Sequence, residues 1–563
     1  MFDRFKTAIA EQLSEISGGD AKVIFEGLQP PKEETHGDFS FAIPRLRIKG
    51  NPKQMAIDFA EKFKTNELIT KAASSGPFIN FSIDKNVLRD DVLKAVYEQK
   101  EKYGTNTTGK GQHAIVEFSS PNIAKPFHAG HLRSTIIGHF ICQLYKANGW
   151  DVTSMNYLGD WGKQYGLLAV GFKKYGSEEK LEQDPIKHLY EVYVSINAEA
   201  ENDPNIQDQA RAYFKRMEEG DEEVLGLWQR FRDMSIAKYK DIYARLGIHF
   251  DVYSGESQVT NGMNRAMKLL EDAGMVKEDD GAQLIDLEKY KLGKALVKKK
   301  DGTTLYLTRD IGAAIERYET YKFDKIIYVV SSQQDHHLKQ LFKTIDLLKL
   351  PYADKFQHIN YGLILGMSTR KGTVVFLEDI LDNTRDHMHE VMKQNEDKYA
   401  QLEEPEYVAD VVSKSAIYVQ DFAARRIKDY KFNWDRVLSF EGDTGPYLQY
   451  AHARLCSMER RANVKINPNA DLSVLTEPAV YSIITMVAQW PDVVKSTMET
   501  LEPSTVVTYT TRLSREIARA WETLWVVNQP ENIAEARLLV YYSARITLGN
   551  ALRILGLDPL ERM

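Results

Sequence analysis

The chain is expected to fold as an α/β core with a parallel sheet, split by an insertion, preceded by a small α+β domain and followed by an all-helical bundle. Three observations predict this. Between about 113 and 365, apolar strand-like runs alternate with amphipathic helical patterns, as in parallel sheets with helical crossovers. A long charged helical stretch interrupts that alternation. From about 405 onward, apolar residues recur at spacings of three and four with few strand signals. At 563 residues the chain is long enough for several cores of the usual size, roughly 150 residues each.

The first part, 1–112, opens with an amphipathic helix from Phe2 to Ile16 and continues through strand-like runs at Val23-Ile24-Phe25 and Phe39 to Ile43. It closes with a strand at Phe78 to Ile83 and a helix at Val87 to Tyr97. Residues 100–112 hold Gly104, Gly109 and Gly111 around the polar run Thr105 to Thr108, which is the composition of a linker. In the second part, 113–404, the strand Ala114 to Phe118 is followed by a helix from Leu132, a strand Val152 to Leu158 and a helix Trp161 to Tyr175. An inserted segment covers about 177–282. Strands then flank Asp301-Gly302, a hairpin turn signal, and the alternation resumes with Lys325 to Val330, a helix to about Leu348 and a strand Ile359 to Leu365. Residues 405–563 form the bundle.

Composition narrows the function classes. With 43% apolar and 27% charged residues and no membrane-length apolar run, the chain reads as an ordinary soluble protein. Acidic residues at Asp3, Glu11, Glu15 and Asp20 fit neither a secretory signal nor a transit peptide, so a cytoplasmic location is expected. Cys142 and Cys456, the only cysteines, support neither a disulfide framework nor a thiolate metal site; no metal ligands are assigned. A net charge of -7 argues against a uniformly basic nucleic-acid coat. The basic stretches Lys298 to Lys300 and Arg425 to Lys431 are the ordinary solvated kind.

The richest stretch is Pro121-Asn122-Ile123-Ala124-Lys125-Pro126-Phe127-His128-Ala129-Gly130-His131, at a strand-to-helix junction. Unpaired N–H groups and the positive dipole end make the first helical turn a phosphate site. His128 and His131 share one face of that turn, Lys125 precedes them, and Gly130 lets a nucleotide approach the backbone. After the last strand comes a small basic loop, Gly366-Met367-Ser368-Thr369-Arg370-Lys371-Gly372, suited to clamping pyrophosphate.

His-Ala-Gly-His after the first strand and Met-Ser-Thr-Arg-Lys-Gly after the last resemble the HIGH and KMSKS signatures of class I aminoacyl-tRNA synthetases. The strings Glu117 to Asn122, Asn156 to Gly162, Leu307 to Gly312 and Ala551 to Leu557 resemble the arginyl-tRNA synthetases, most nearly the fungal cytoplasmic form. The resemblance spans the whole chain. It implies a Rossmann-type class I catalytic core, an amino-terminal domain that touches the tRNA corner and a helical anticodon-binding domain of DALR type, with Asn550 in place of the signature aspartate. The implied enzyme is an arginine–tRNA ligase. It forms arginyl-adenylate from arginine and ATP, expected only with tRNA present, then transfers arginine to the 3' end of tRNA(Arg). Magnesium accompanies the nucleotide, and a monomer is the family expectation. Other class I synthetases, a catalytically inactive tRNA-binding relative and a small-molecule adenylating ligase, which would not need the long helical tail, are the rival readings.

Gly366 and Thr369 stand where the KMSKS loop carries lysines. The family places a lysine just before HIGH, and Lys125 fits that role. The resemblance therefore implies Lys125, His128 and His131 as catalytic, with Gly130, Met367, Ser368, Arg370 and Lys371 completing ATP binding.

A guanidinium offers five planar donors, so its pocket needs carboxylates and a phenol or amide. Glu117, Tyr306, Asp310 and Gln334 would gather at strand carboxyl ends. The resemblance assigns these four to arginine, together with Ser119, Ser120, Asn122 and His131. Taken alone, Asp310 could equally be a helix N-cap and Tyr306 a half-buried strand aromatic. For tRNA the implied residues are Phe78, which could otherwise be a core aromatic, with Asn80, Tyr447, Tyr450, Arg454 and Met563.

Overall fold

The computed structural model describes residues 1–300, 305–366, 376–437, 439 and 442–563. Helix α1 (Asp3–Ser17) buries Phe5, Ile9, Ala10 and Leu13 at helical spacing. After α2 (Ala21–Gly27), a three-stranded antiparallel sheet runs β1 (Phe39–Ala42), β3 (Phe78–Ile83), β2 (Ile69–Ser75), with α3 (Pro52–Lys62) linking β1 to β2. The run Val23-Ile24-Phe25 is helical rather than extended. Asp20 accepts the Lys22 N–H as N-cap, and Ile24 is the apolar side chain of the three that is buried.

Helix α4 (Lys85–Gln99) leads into residues 100–112, whose linker-like composition conceals a packed seam. The buried Tyr103 donates its hydroxyl to Val487 O at 2.9 Å, and its own carbonyl accepts from Trp490 Nε1 at 3.1 Å. Asn550 Nδ2 donates to Lys100 O and Tyr103 O, both at 3.0 Å. A carboxylate could donate to neither carbonyl, which explains physically why an amide stands at 550.

The core alternates strand and helix: β4 (His113–Glu117), α5 (Ala129–Ala147), β5 (Asp151–Leu158), α6 (Lys163–Tyr175), then four helices, α7 (Glu178–Gln183), α8 (Pro185–Ala200), α9 (Pro204–Glu218) and α10 (Glu222–Leu246). Strand β6 (Val252–Gly255) follows, pairing in parallel with β5, so part of the stretch 177–282 belongs to the sheet. Helix α11 (Thr260–Asp272) precedes a small antiparallel sheet of β7 (Val276–Asp279), β8 (Ala282–Asp286) and β9 (Lys294–Lys298). The turn at Asp301-Gly302 lies outside the described residues. Then come α12 (Tyr306–Tyr321), β10 (Lys325–Val329), α13 (Asp335–Leu347) and β11 (Phe356–Ile359).

The five core strands are all parallel, in the order β11-β10-β4-β5-β6. The chain leaves β4 toward β5 on one side and reaches β10 on the other, so a crevice opens at the carboxyl ends of β4 and β10, where ligands bind in such sheets. The strand expected at Ile359 to Leu365 is divided. Only Ile359 of it belongs to β11, residues 360–363 are irregular, and β12 (Ile364–Leu365) leaves the sheet to pair with β13 (Tyr430–Lys431).

The rest is helical: α14 (Leu377–Lys393), α15 (Glu396–Tyr399), α16 (Pro405–Phe422), α17 (Trp434–Val437), α18 (Gly445–Arg461), α19 (Pro478–Thr500), α20 (Pro503–Ala520) and α21 (Glu531–Ile554). α21 is apolar on most of its faces and correspondingly buried along most of its length. Among the described residues no helix is long and apolar enough to cross a membrane.

Arg133 on α5, 1% exposed, ties these layers together. Its Nε lies 3.0 Å from Asp421 of α16, and its Nη1 donates to Gly362 O at 2.8 Å and Lys428 O at 3.0 Å. The rings of Tyr361 and Tyr430 face the guanidinium at 5.8 and 5.3 Å. Removing the arginine strands a buried carboxylate. Arg133→Leu should therefore lower stability in urea by about 3–5 kcal/mol; a loss below about 1 kcal/mol would show that the tie carries little.

Candidate active site

Between β4 and α5 the chain makes a loop whose backbone is strained. Ser119, Ser120 and Ala124 have φ of 70°, 48° and 59°, left-handed conformations that cost a side-chain-bearing residue roughly 1 kcal/mol each. The strain is held by α10 and its neighbours. Ser235 Oγ accepts the Ala124 N–H at 3.1 Å, and the Tyr239 hydroxyl lies 2.7 Å from Asn122 O and 2.5 Å from Lys125 O. The Ser119 hydroxyl is 2.7 Å from the Tyr243 hydroxyl and accepts from Thr135 at 2.8 Å. On the other side the loop bridges to Gly159, where a Cβ would meet Asn122 Oδ1 at 1.9 Å. Glycine is required there for Asn122 to lie where it does.

His128 is the N-cap of α5, and its Nδ1 accepts the Gly130 N–H at 3.0 Å. His131 Nδ1 accepts the His128 N–H at 3.4 Å, and the two rings lie tilted by 31° with centroids 3.9 Å apart. A Cβ on Gly130 would lie 2.7 Å from the His128 ring, so this glycine makes room for the capping imidazole; that is a different reason from nucleotide approach. With each Nδ1 accepting, the neutral tautomers carry their proton on Nε2, leaving two N–H donors free for phosphate oxygens. Burial, reinforced by Lys125, lowers the His128 pKa. Burial followed by the charges of His128 and Lys125 pushes His131 down to about 3. Lys125 itself rests over the ring of Tyr193 on α8, 5.3 Å from its centroid. Phe127 O accepts the Leu377 N–H at 2.8 Å and His128 bridges to Phe376, so this loop touches the segment that follows the basic loop.

At the crevice floor lie four carboxylates, three of which, Glu117, Glu256 and Asp310, act on the buried Tyr157 hydroxyl, which has no hydrogen-bond partner among the described residues. Glu117 ends β4 opposite Tyr328 of β10 and is ion-paired with Arg317 of α12. Burial pushes the Glu117 carboxyl up, and Arg317 opposes the rise. Asp160, fully buried, pairs with Arg232 at 2.7 Å and accepts from Ser257 N and Oγ at 2.8 and 2.9 Å. Glu256 pairs with Arg309 at 2.9 Å. The fourth, Asp310, meets no permanent cation among the described residues. Its partner is His337 of α13, Nε2 to Oδ2 2.5 Å, and its side chain is 29% exposed against 8% for Glu117. Asp310 sits within the first turns of α12, whose N-cap is Leu305, so it is no cap.

The expected arginine ligands are thus brought together unequally. Tyr306, one turn before Asp310, is 66% exposed rather than a half-buried strand residue, with Arg309 over its ring at 5.6 Å. Gln334 is exposed at the start of α13, beyond the end of β10. Asn122 is exposed, while Ser119 is buried and Ser120 Oγ accepts the Tyr157 N–H at 3.2 Å. Glu117 is already matched internally, so it is not a free carboxylate. Met367, Ser368, Arg370 and Lys371 lie outside the described residues.

Away from the crevice, Phe78 is 41% exposed but Asn80 is 6% exposed within its sheet, so the phenyl face alone is presented and Asn80 is not offered to a base. On α18, Tyr447 is half-buried, Tyr450 is 39% exposed beneath Lys398, and Arg454 lies over Trp521 at 4.6 Å. Met563 packs partly against the core. Sequence reading overlooked Arg317, Arg309, Tyr157, Ser235, Tyr239 and His337. The signal for the α12 arginine was its spacing, since Arg317 falls seven residues after Asp310 on one helical face.

Comparison with known proteins bears on what such a crevice serves. Residues 92–434 match the family described as tRNA synthetases class I (R), catalytic domain; residues 3–83 match the arginyl tRNA synthetase N terminal domain; residues 448–563 match the DALR anticodon binding domain. The chain is 52% identical over 588 residues to a Dictyostelium discoideum protein named probable arginine–tRNA ligase, cytoplasmic, covering 99% of this chain and 100% of that one. It is 53% identical over 575 residues to the cytoplasmic arginine–tRNA ligase of Saccharomyces cerevisiae, covering 100% and 95%. The fold is similar to that of the Thermus thermophilus arginyl-tRNA synthetase, with a TM-score of 0.82 at 22% identity over 100% of both chains.

The neutral histidines carry a measurable consequence. An unfolded histidine protonates near 6.5 and folded His131 only near about 3, so the unfolded chain binds more protons between these values. Stability should fall as pH drops through that window, with His131 contributing about 1.4 kcal/mol per pH unit. The His131 ring resonances should not titrate between pH 8 and 5, and His131→Asn should remove its share of the slope. A ring titrating near 6.5 would contradict the burial argument.

Proposed function

The chain belongs to the arginyl-tRNA synthetases of class I, and from that premise we propose how its residues divide the work of joining arginine to tRNA(Arg). In the first step an arginine carboxylate oxygen attacks the ATP α-phosphate, the bond to the β-phosphate breaks, and pyrophosphate leaves. In the second, a ribose hydroxyl at the tRNA 3' end attacks the activated carbonyl, loses its proton, and AMP leaves.

The observation that carries the assignment is the charge matching at the crevice floor. Glu117, Asp160 and Glu256 each hold an internal arginine, whereas Asp310 holds a histidine whose charge is conditional. A substrate guanidinium supplies the permanent cation that Asp310 lacks, in the charge-assisted, two-point geometry favoured by that pair. Tyr306 closes over it from the same helix, Gln334 and Asn122 take the amino and carboxylate ends, and the Ser119 and Ser120 backbone shapes the wall. His131 borders both subsites.

For ATP, the Nε2–H groups of His128 and His131 stabilise charge developing on the α-phosphate, and Gly130 leaves room for the His128 ring to take up that position. Their neutrality leaves Lys125 as the charged group of this loop, moving from the Tyr193 ring to the phosphates in the role that KMSKS lysines fill elsewhere. Met367, Ser368, Arg370 and Lys371 complete the clamp. Among the described residues no group of three acidic, histidine or cysteine side chains could hold a metal. Magnesium enters as the counter-ion of the nucleotide, held by phosphate oxygens and water.

Phe78, Tyr447, Tyr450 and Arg454 offer stacking surfaces for unpaired tRNA bases, and Met563 lies by the same bundle. The domain boundaries fall near 112 and 404, with the insertion between about 177 and 282. The enzyme works as a cytoplasmic monomer, and adenylate formation depends on tRNA.

Pyrophosphate exchange into ATP should occur with arginine alone among the amino acids, and only with tRNA present. Asp310→Asn should raise the arginine KM about 100-fold, the loss of one partly buried charge-assisted pair. Lys125→Ala should cut the exchange rate at least 100-fold while leaving tRNA affinity within about twofold. Equal loss of exchange and of tRNA binding in Lys125→Ala would remove its phosphate role, and an unchanged arginine KM in Asp310→Asn would remove the guanidinium assignment.

A further inference from the structure

Resting on the assignment of Asp310 to the substrate guanidinium, we propose that His337 is a specificity-determining residue. As an imidazolium it occupies Asp310 in the empty enzyme, and arginine replaces it, so that each binding event expels a proton.

The geometry is a competition for one carboxylate. His337 Nε2 lies 2.5 Å from Asp310 Oδ2, and both side chains are partly exposed, at 26% and 29%, to the same crevice. The hydrogen bond from His337 raises its pKa above the ordinary value against the pull of burial. Among the described residues no other cation is paired with Asp310. On α12, Arg309 is held by Glu256 and Arg317 by Glu117 at the end of β4. On α13 itself, Asp335 is held by Asn360 at 3.1 Å and by His358 of β11 at 3.5 Å, while His336 and Lys339 are exposed.

A guanidinium reaching Asp310 arrives beside His337. A guanidinium bound at both Asp310 oxygens takes the oxygen that His337 holds and sets a second positive charge beside the imidazolium, so the imidazole, the partner able to discharge, gives up its proton. The pocket then carries the same net charge empty and full. It never exposes a bare carboxylate to its low-dielectric surroundings, where an unpaired charge is costly. Discrimination follows: an uncharged isostere such as citrulline cannot replace the imidazolium, and leaves the pair closed.

The sign of the pH effect is fixed. Below the His337 pKa of the free enzyme, arginine must displace a proton, so affinity should weaken toward tenfold per unit as pH falls, for one proton released. Above it, affinity should level off.

The test is calorimetric titration of the full chain with L-arginine at pH 6, 7, 8 and 9, each in buffers of different ionisation enthalpy. The dependence of heat on buffer yields the protons released. Release should be largest at pH 6 and fall as pH rises through the His337 titration. His337→Asn, with an unchanged melting temperature, should abolish the release and flatten the pH dependence. His337→Lys, a permanent cation, should weaken arginine at least tenfold at every pH. Equal release by the native enzyme and His337→Asn would overturn the proposal. If Asp310→Asn loses arginine while the native enzyme releases no proton, the subsite stands and the competition falls. Unchanged affinity in Asp310→Asn would remove both.

Discussion

Arg133 lies two residues beyond the second histidine, almost wholly buried, and its guanidinium is where helix α5, the approach to the basic loop and the carboxy-terminal helices meet. Such a residue costs several kcal/mol to desolvate, and only Asp421, two backbone carbonyls and two tyrosine faces offset that cost. Because the same side chain bonds to Gly362, the histidine turn and the strand leading to the 366–372 loop are held at one separation. The histidines, Lys125 and the crevice are built around that fixed distance.

Within this frame, charge is arranged so that little of it is left over. Three carboxylates are met by arginines of the chain, two histidines are kept neutral by burial, and the strained 119–124 loop is held by neutral hydroxyls from α10. What remains among the described residues is Lys125 on the phosphate side, resting on an aromatic ring, and Asp310 on the amino-acid side, paired with a histidine. These are the complements of a triphosphate and of a guanidinium, and in a low-dielectric crevice they act with more force than they would in water. Helix α10 also makes the insertion a part of the site, since Ser235, Tyr239 and Tyr243 reach the loop from within it.

Much of this was legible in the sequence. The strand-to-helix junction, the parallel alternation and the helical bundle followed from periodicity, and the resemblance named Asp310 and the histidine turn. What escaped it depends on contacts distant in sequence. Val23 to Phe25 has strand composition, yet the Asp20 cap and a single inward isoleucine make it a helix turn. Glycine and threonine suggested a linker at 100–112, while Tyr103 meets Trp490 and Asn550, 387 and 447 residues further on, and makes it a seam. Glu117 looked like a free arginine ligand because Arg317 stands 200 residues away. Gly130 suggested an approach for nucleotide, and only the His128 ring lying over it shows its structural use.

The central claim is that the substrate guanidinium completes Asp310 and leaves the internal pairs intact. A crystal structure with bound L-arginine tests it most directly. The result expected is a two-point contact between the guanidinium and Asp310, with Arg317 still on Glu117 and Arg309 still on Glu256. A guanidinium that displaces Arg317 from Glu117, or that binds without touching Asp310, would contradict it.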